Sequence, residues 1–112
     1  MTAHAQTLFN DLVRSGADAL EFENCSDGMY DIFLNSGSTG IGITRIGGSE
    51  GIRLAERMRA MRSVTVDGAV YRIRSERWES FGEYNYRYSV SAATSAPKPG
   101  AKSAPKRQRP RL

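Results

Sequence analysis

Cysteine and histidine are nearly absent from this 112-residue chain, which has one of each, Cys25 and His4. A lone cysteine excludes an internal disulfide, and one Cys with one His cannot complete a Cys/His zinc site within one chain. Proline is missing from everything before residue 97; all four, Pro97, Pro99, Pro105 and Pro110, follow it. No run of about 18 apolar residues occurs, so no membrane-spanning helix is expected. The start, MTAHAQTLFNDLV, lacks the basic segment followed by an apolar segment that marks a secretory signal. Carboxylates are missing from the end: residues 93–112, ATSAPKPGAKSAPKRQRPRL, contain no Asp or Glu.

That last absence accounts for the charge. Six of the 16 Lys and Arg residues (Lys98, Lys102, Lys106, Arg107, Arg109, Arg111) lie in the tail, leaving ten against 12 carboxylates in the body. The body is therefore about −2 and the tail +6, and the net +4 does not describe a basic folded surface. A cationic arm on a near-neutral body implies a partner, either nucleic acid or an acidic surface in an assembly. With its prolines and little apolar surface, the arm cannot repay its own ordering entropy. Residues 1–92 are expected to form one small domain, which at this size buries roughly 60% of its unfolded surface. Residues 93–112 are expected to extend from it.

Within the body, Leu8, Phe9, Leu12, Val13 and Leu20 recur at spacings of three, four and seven, predicting a helix over 4–19 with Thr2 as a cap and Gly16 near its end. Ala19–Cys25 and Met29–Leu34 read as strands around the Asp27-Gly28 turn signal. Six glycines between 37 and 51 predict a loop–strand–loop region with a short strand at 40–46. Ile52–Arg62 has helical spacing through Leu54, Met58 and Met61. The clearest local signal is Asp67-Gly68 between two β-rich runs, a two-residue hairpin. Arg77–Phe81 and Tyr84–Ser91 form a further pair around Phe81-Gly82-Glu83. The expected fold is mainly β (α+β): a small antiparallel β-barrel or sandwich with a short N-terminal helix, a mid-chain helix and the basic C-terminal arm.

Candidate chemistry is sparse. His4 lies at the chain start without a positioned partner, which a general base needs. Cys25 is expected to be a small buried apolar residue. Gly37–Gly42 lacks both the G-x-G-x-x-G spacing and the Gly-Lys-Ser/Thr ending of phosphate-cradling loops. Asp27 and Asp31 read as a pair flanking a turn or, equally, as solvated loop charges, and calcium-ligand spacing is absent. No catalytic, cofactor-binding or metal-binding residue is assigned, and no cofactor is expected. Tyr84, Tyr86 and Tyr88 share one strand face. They read either as a stacking platform for single-stranded nucleic acid beside Arg72, Arg74, Arg77 and Arg87, or, preferred, as a core or subunit-interface row. Trp78 and Phe81 are expected to be core or interface anchors.

The stretch Arg62–Ile73, RSVTVDGAVYRI, resembles the late β-hairpin of head–tail joining proteins of long-tailed bacteriophages, the head-completion or stopper proteins of the virion neck. The N-terminal helix with Leu8, Phe9 and Leu12 and the Arg-rich end fit the same plan. The resemblance centres on residues 62–92. It implies a small barrel or sandwich in the virion, assembled in the host cytoplasm as a ring of six copies or a multiple. It also implies contacts with neighbouring portal or adaptor and tail proteins around the DNA channel, no membrane and no catalysis. The alternative is a small nucleic-acid-binding module using the tail and the Arg/Tyr strand. The arm, at roughly 3.3 Å per residue, spans about 65 Å, enough to reach an adjacent subunit.

Overall fold

Leu8, Phe9 and Leu12 are the buried side chains of helix α1 (Ala5–Ser15), as their spacing predicts. The helix ends sooner than the periodicity suggests, because Gly16 takes φ 72° and its N–H bonds the Val13 carbonyl, a left-handed stop that favours glycine. The computed structural model describes residues 4–93. The capping role of Thr2 and the contacts expected of Lys98, Lys102, Lys106, Arg107, Arg109 and Arg111 lie outside the described residues.

Strands β1 (Ala19–Asn24), β2 (Met29–Ser36) and β3 (Thr39–Gly47) form an antiparallel meander. Helix α2 (Gly48–Arg59) follows, and a second meander is built from β4 (Ser63–Val66), β5 (Ala69–Ser80) and β6 (Glu83–Ala92). The chain thus runs twice through a helix and three strands. The two meanders join through β1 and β6, giving one six-stranded antiparallel sheet of order β3-β2-β1-β6-β5-β4.

This sheet is open, which corrects the expected barrel or sandwich. The reason lies in how the core is completed. One sheet face supplies Leu20, Phe22, Tyr30, Ile32, Ile46, Val64, Val66, Tyr86 and Tyr88 to a single cluster, and the helices supply Leu8, Phe9, Leu12, Leu54, Ala55 and Met58. Two helices cover the apolar face that a second sheet or a closed barrel would otherwise bury. The edges β3 and β4 therefore lie at opposite ends of the sheet.

In the glycine-rich stretch the expected strand at 40–46 is present within β3, while the loop expected after it is replaced by the end of β3 and the first turn of α2. Gly40 and Gly42 lie in β3, where a Cβ on Gly40 would come 2.8 Å from the Asn35 side chain and one on Gly42 3.6 Å from the Phe33 ring. Side chains of the neighbouring strand lie over them, a cross-strand compensation for missing side chains. Gly48 and Gly51 open α2, four residues before the helix expected from Ile52. The strand ending at Ser75 and the one expected from Arg77 are a single strand, since β5 runs unbroken from Ala69 to Ser80.

Candidate functional site

Alternation along β6 sends Tyr84, Tyr86 and Tyr88 to the helix side. Tyr86 and Tyr88 are fully buried there, stacked at 6.5 Å with nearly parallel rings. The Tyr88 hydroxyl donates to the Ala55 carbonyl of α2. The Tyr86 hydroxyl donates to Glu56 at 2.8 Å, and Arg77 reaches the same carboxylate oxygen at 2.9 Å. Arg59 takes the other oxygen at 3.1 Å. Burial pushes the Glu56 carboxyl upward, but donation from Tyr86, Arg77 and Arg59 outweighs it and holds the group below its ordinary value. This cluster ties α2 to the sheet and commits three of the carboxylate's acceptor positions to Tyr86, Arg77 and Arg59. The stacking-platform reading of the row fails for two of its three members. Tyr84, 44% exposed, is the exception, and the Arg77 guanidinium sits 4.2 Å above its ring.

The buried phenols set an alkaline limit. Burial raises the Tyr88 and Tyr86 hydroxyls well above their ordinary value, with the neighbouring Tyr86 and Glu56 charges adding to it; Tyr30 is raised by burial and then by Glu83 and Glu56. A group raised in the folded state contributes stability below its unfolded pKa of about 10 and loses it as pH rises toward the folded value. Stability should therefore fall progressively above about pH 10. Tyrosinate absorbance from Tyr30, Tyr86 and Tyr88 should appear only with unfolding, and Tyr88→Phe should flatten the fall. Ultraviolet pH titration followed in parallel with circular dichroism checks this.

Cys25 is half-buried rather than core. Its thiol lies 3.2 Å from the Asp31 carboxylate, and burial followed by that hydrogen bond and charge raises it. Asp31 and Asp27 are not merely solvated turn charges: Arg45 of β3 pairs with both, at 2.7 Å and 2.8 Å. Arg45 donation, then that of the Cys25 thiol, holds Asp31 below its ordinary value. A thiol kept protonated beside a carboxylate is a poor nucleophile.

The sheet face away from the helices carries Arg45, Arg72, Arg74 and Arg87 beside Glu21, Glu23, Asp31, Glu76 and Glu83. Arg45 and Arg87 are already paired, the latter with Glu21. Arg72 and Arg74 are exposed, as the strand alternation predicts. With carboxylates at least matching arginines, this face does not offer the continuous positive track that phosphates need.

Of the large apolar side chains exposed among the described residues, Trp78, Phe81 and Tyr84 gather at the turn end of the β5–β6 hairpin, while Ile41 and Val70 lie away from it. Two hairpins share one geometry. Asp67-Gly68 has φ 52° and 83°, and Phe81-Gly82 has φ 55° and 82°. Both are two-residue turns with positive φ at both central positions, which favours Asn-Gly or Asp-Gly. The first obeys that preference, and Arg14 further pairs with Asp67 at 2.8 Å. The second places phenylalanine where a β-carbon costs roughly 1–2 kcal/mol, and that ring is 100% exposed. Phe81 is therefore not a core residue. Neither is Trp78, 42% exposed on the helix-free face. Phe81, Ile52, Tyr30 and Glu83 help line a cleft of about 640 Å³ between this turn, the β1–β2 turn and the start of α2. Sequence reading identified the turn and its aromatics but missed Ile52, Glu79 and Glu83. The available signal was the wrong residue type at a turn position whose sister hairpin has the right one.

Comparison with protein-family models and with curated proteins finds no match to this chain.

Proposed function

We propose that this protein is a structural component of a multi-subunit assembly, acting by contact with neighbouring protein rather than by catalysis. The observation that carries this reading is the inequality of the two sheet edges. Edge β4 is four residues long, and the Thr65 carbonyl on it already accepts a hydrogen bond from Gln6 Nε2 of α1 at 2.9 Å. Edge β3 is nine residues long. It lacks Lys and Pro, its one charge is neutralised by Asp27 and Asp31, and Ile41 on it is 62% exposed. Edges meant to stay alone are short, charged or covered; β3 has only its irregularity between Ile32 and Phe33 pairs. A bare edge of this length supports strand addition from a neighbour.

Ser36 and Thr39 close the β2–β3 turn, so the alternation of an antiparallel ladder turns the backbone groups of Gly40 and Gly42 outward. In its most specific form, drawn from the hairpin resemblance, the assembly is a phage neck ring around the DNA channel. An open sheet would build that ring by edge and surface contact rather than by packing barrels. Ile41→Lys tests the contact. As a surface change it should leave folding within about 0.5 kcal/mol while weakening association by at least about tenfold, or 1.4 kcal/mol, in sedimentation of the full chain. Unchanged association would remove β3 from the interface.

A further inference from the structure

We infer that the β5–β6 tip is an acceptor site for the proline- and arginine-rich tail of a second copy of this chain. The inference deepens the assembly reading and rests on it, supplying a second contact. Four independent observations converge on the tip.

Phe81 is fully exposed at a backbone conformation that disfavours it, so it contributes nothing to the core and opposes the turn that holds it. Such an outlier points toward a function outside folding. Trp78 and Tyr84, 42% and 44% exposed, flank the same turn. Glu76, Glu79 and Glu83 stand on the strands that lead into it, and among the described residues none of the three has an ion-pair partner. The cleft beside Phe81 is lined by Ile52, Tyr30 and Glu83. The tip is therefore an aromatic knob, with Trp78 and Tyr84 on its two faces, carboxylates that lack an ion pair and a cleft of mixed polar and apolar lining beside it.

Residues 94–112 offer the complement: four prolines, six cations and no carboxylate. Proline-containing segments dock on exposed aromatic surfaces, and arginine is attracted to aromatic faces. Elsewhere on the body Arg14, Arg45, Arg59, Arg77 and Arg87 occupy Asp67, Asp27, Asp31, Glu56 and Glu21; Asp11, Asp18, Glu23 and Glu50 also lack an ion pair among the described residues, but only the β5–β6 hairpin combines three such carboxylates with exposed aromatic rings. The assembly reading favours a second copy as the donor. β6 begins at Glu83 beside the tip and ends at Ala92, about 30 Å away at the strand rise; the tail's reach of about 65 Å also spans its own tip, but only by doubling back along β6, whereas between copies each donates its tail from one end and accepts at the other. Donor-to-acceptor contacts of this kind generate rings where the rotation closes.

All three lysines of the chain, Lys98, Lys102 and Lys106, are in the tail. Carbodiimide coupling of lysine to carboxylate on the full chain therefore reports tail contacts directly, apart from those of the N-terminal amine. Equal amounts of unlabelled and ¹⁵N-labelled chain are mixed, coupled and read by mass spectrometry, with native mass recorded on the same sample. Mixed-isotope links from the tail lysines to Glu79 and Glu83 are expected, and at least fivefold fewer with Phe81→Asn. That variant suits the turn, so its thermal midpoint should stay equal or rise. Links confined to single copies, or spread evenly over other carboxylates, or unaffected by Phe81→Asn, overturn the inference. If the copies still associate in that sample, the assembly reading stands without it; if they remain monomeric, that reading falls as well.

Discussion

Phe22→Ala should destabilise the protein by about 3–5 kcal/mol. Phe22 is fully buried in β1, at the centre of the sheet. Its ring meets Tyr88, Tyr86 and Tyr30 edge-on, at 5.8, 6.2 and 6.4 Å between centroids. Truncating a buried phenylalanine costs about 3–5 kcal/mol through lost transfer energy and the cavity left behind. The surrounding rings cannot collapse into that space, because the Tyr88 and Tyr86 hydroxyls are held by Ala55 and Glu56 of α2. A domain of this kind has a total stability of about 5–15 kcal/mol, so the loss consumes much of it. Urea denaturation followed by circular dichroism measures the change. A loss below about 2 kcal/mol would mean that the aromatic cluster is not the centre of the core.

Gly51→Ala is the second large effect, and its sign discriminates between two physical terms. In a helix interior alanine is favoured over glycine by about 1 kcal/mol, so helix propensity alone predicts stabilisation. Yet Gly51 is buried on the inner side of α2. A methyl group there would lie 2.5 Å from Tyr30 Cδ2 and 3.0 Å from Cγ. Those atoms are the root of the ring, and Tyr30 is fixed at its far end by donation from its hydroxyl to the Tyr84 carbonyl at 2.7 Å. The ring cannot swing away, so α2 must lift from the sheet. Overpacking of this kind costs about 1–3 kcal/mol, and the packing loss should win. A net destabilisation of up to about 2 kcal/mol is expected after the propensity gain is subtracted. A stabilised variant would show that α2 rides loosely on β2.

These effects explain which parts of the fold were legible in the sequence. Helix α1 could be read because Leu8, Phe9 and Leu12 repeat locally, and the Asp67-Gly68 hairpin because turn chemistry involves only adjacent residues. Within the stretch 37–51 the strand at 40–46 was legible, but the start of α2 was not: Gly48 and Gly51 resemble loop residues until Gly51 is seen lying against Tyr30. Closure of the sheet was equally hidden, since whether β3 and β4 meet depends on the distant pairing of β1 with β6. The tyrosine row shows a third limit. Alternation gave the correct shared side for Tyr84, Tyr86 and Tyr88, but which of them the helices cover depends on distant residues: Phe9 of α1 and Ala55 and Glu56 of α2 meet Tyr88 and Tyr86, while Tyr84 stays half exposed. For Phe81 the turn itself was readable, whereas its full exposure was not.

The account's central proposition is that this chain works by being joined to neighbouring copies through surfaces its fold leaves uncommitted. Sedimentation of the full 12.4 kDa chain across a wide concentration range, at low and high salt, tests it most directly. Reversible association is predicted, strongest at low salt where the tail and the acidic tip attract, with a salt-resistant part carried by edge β3. A chain that sediments as a single 12.4 kDa species at every concentration and both salts would contradict the account.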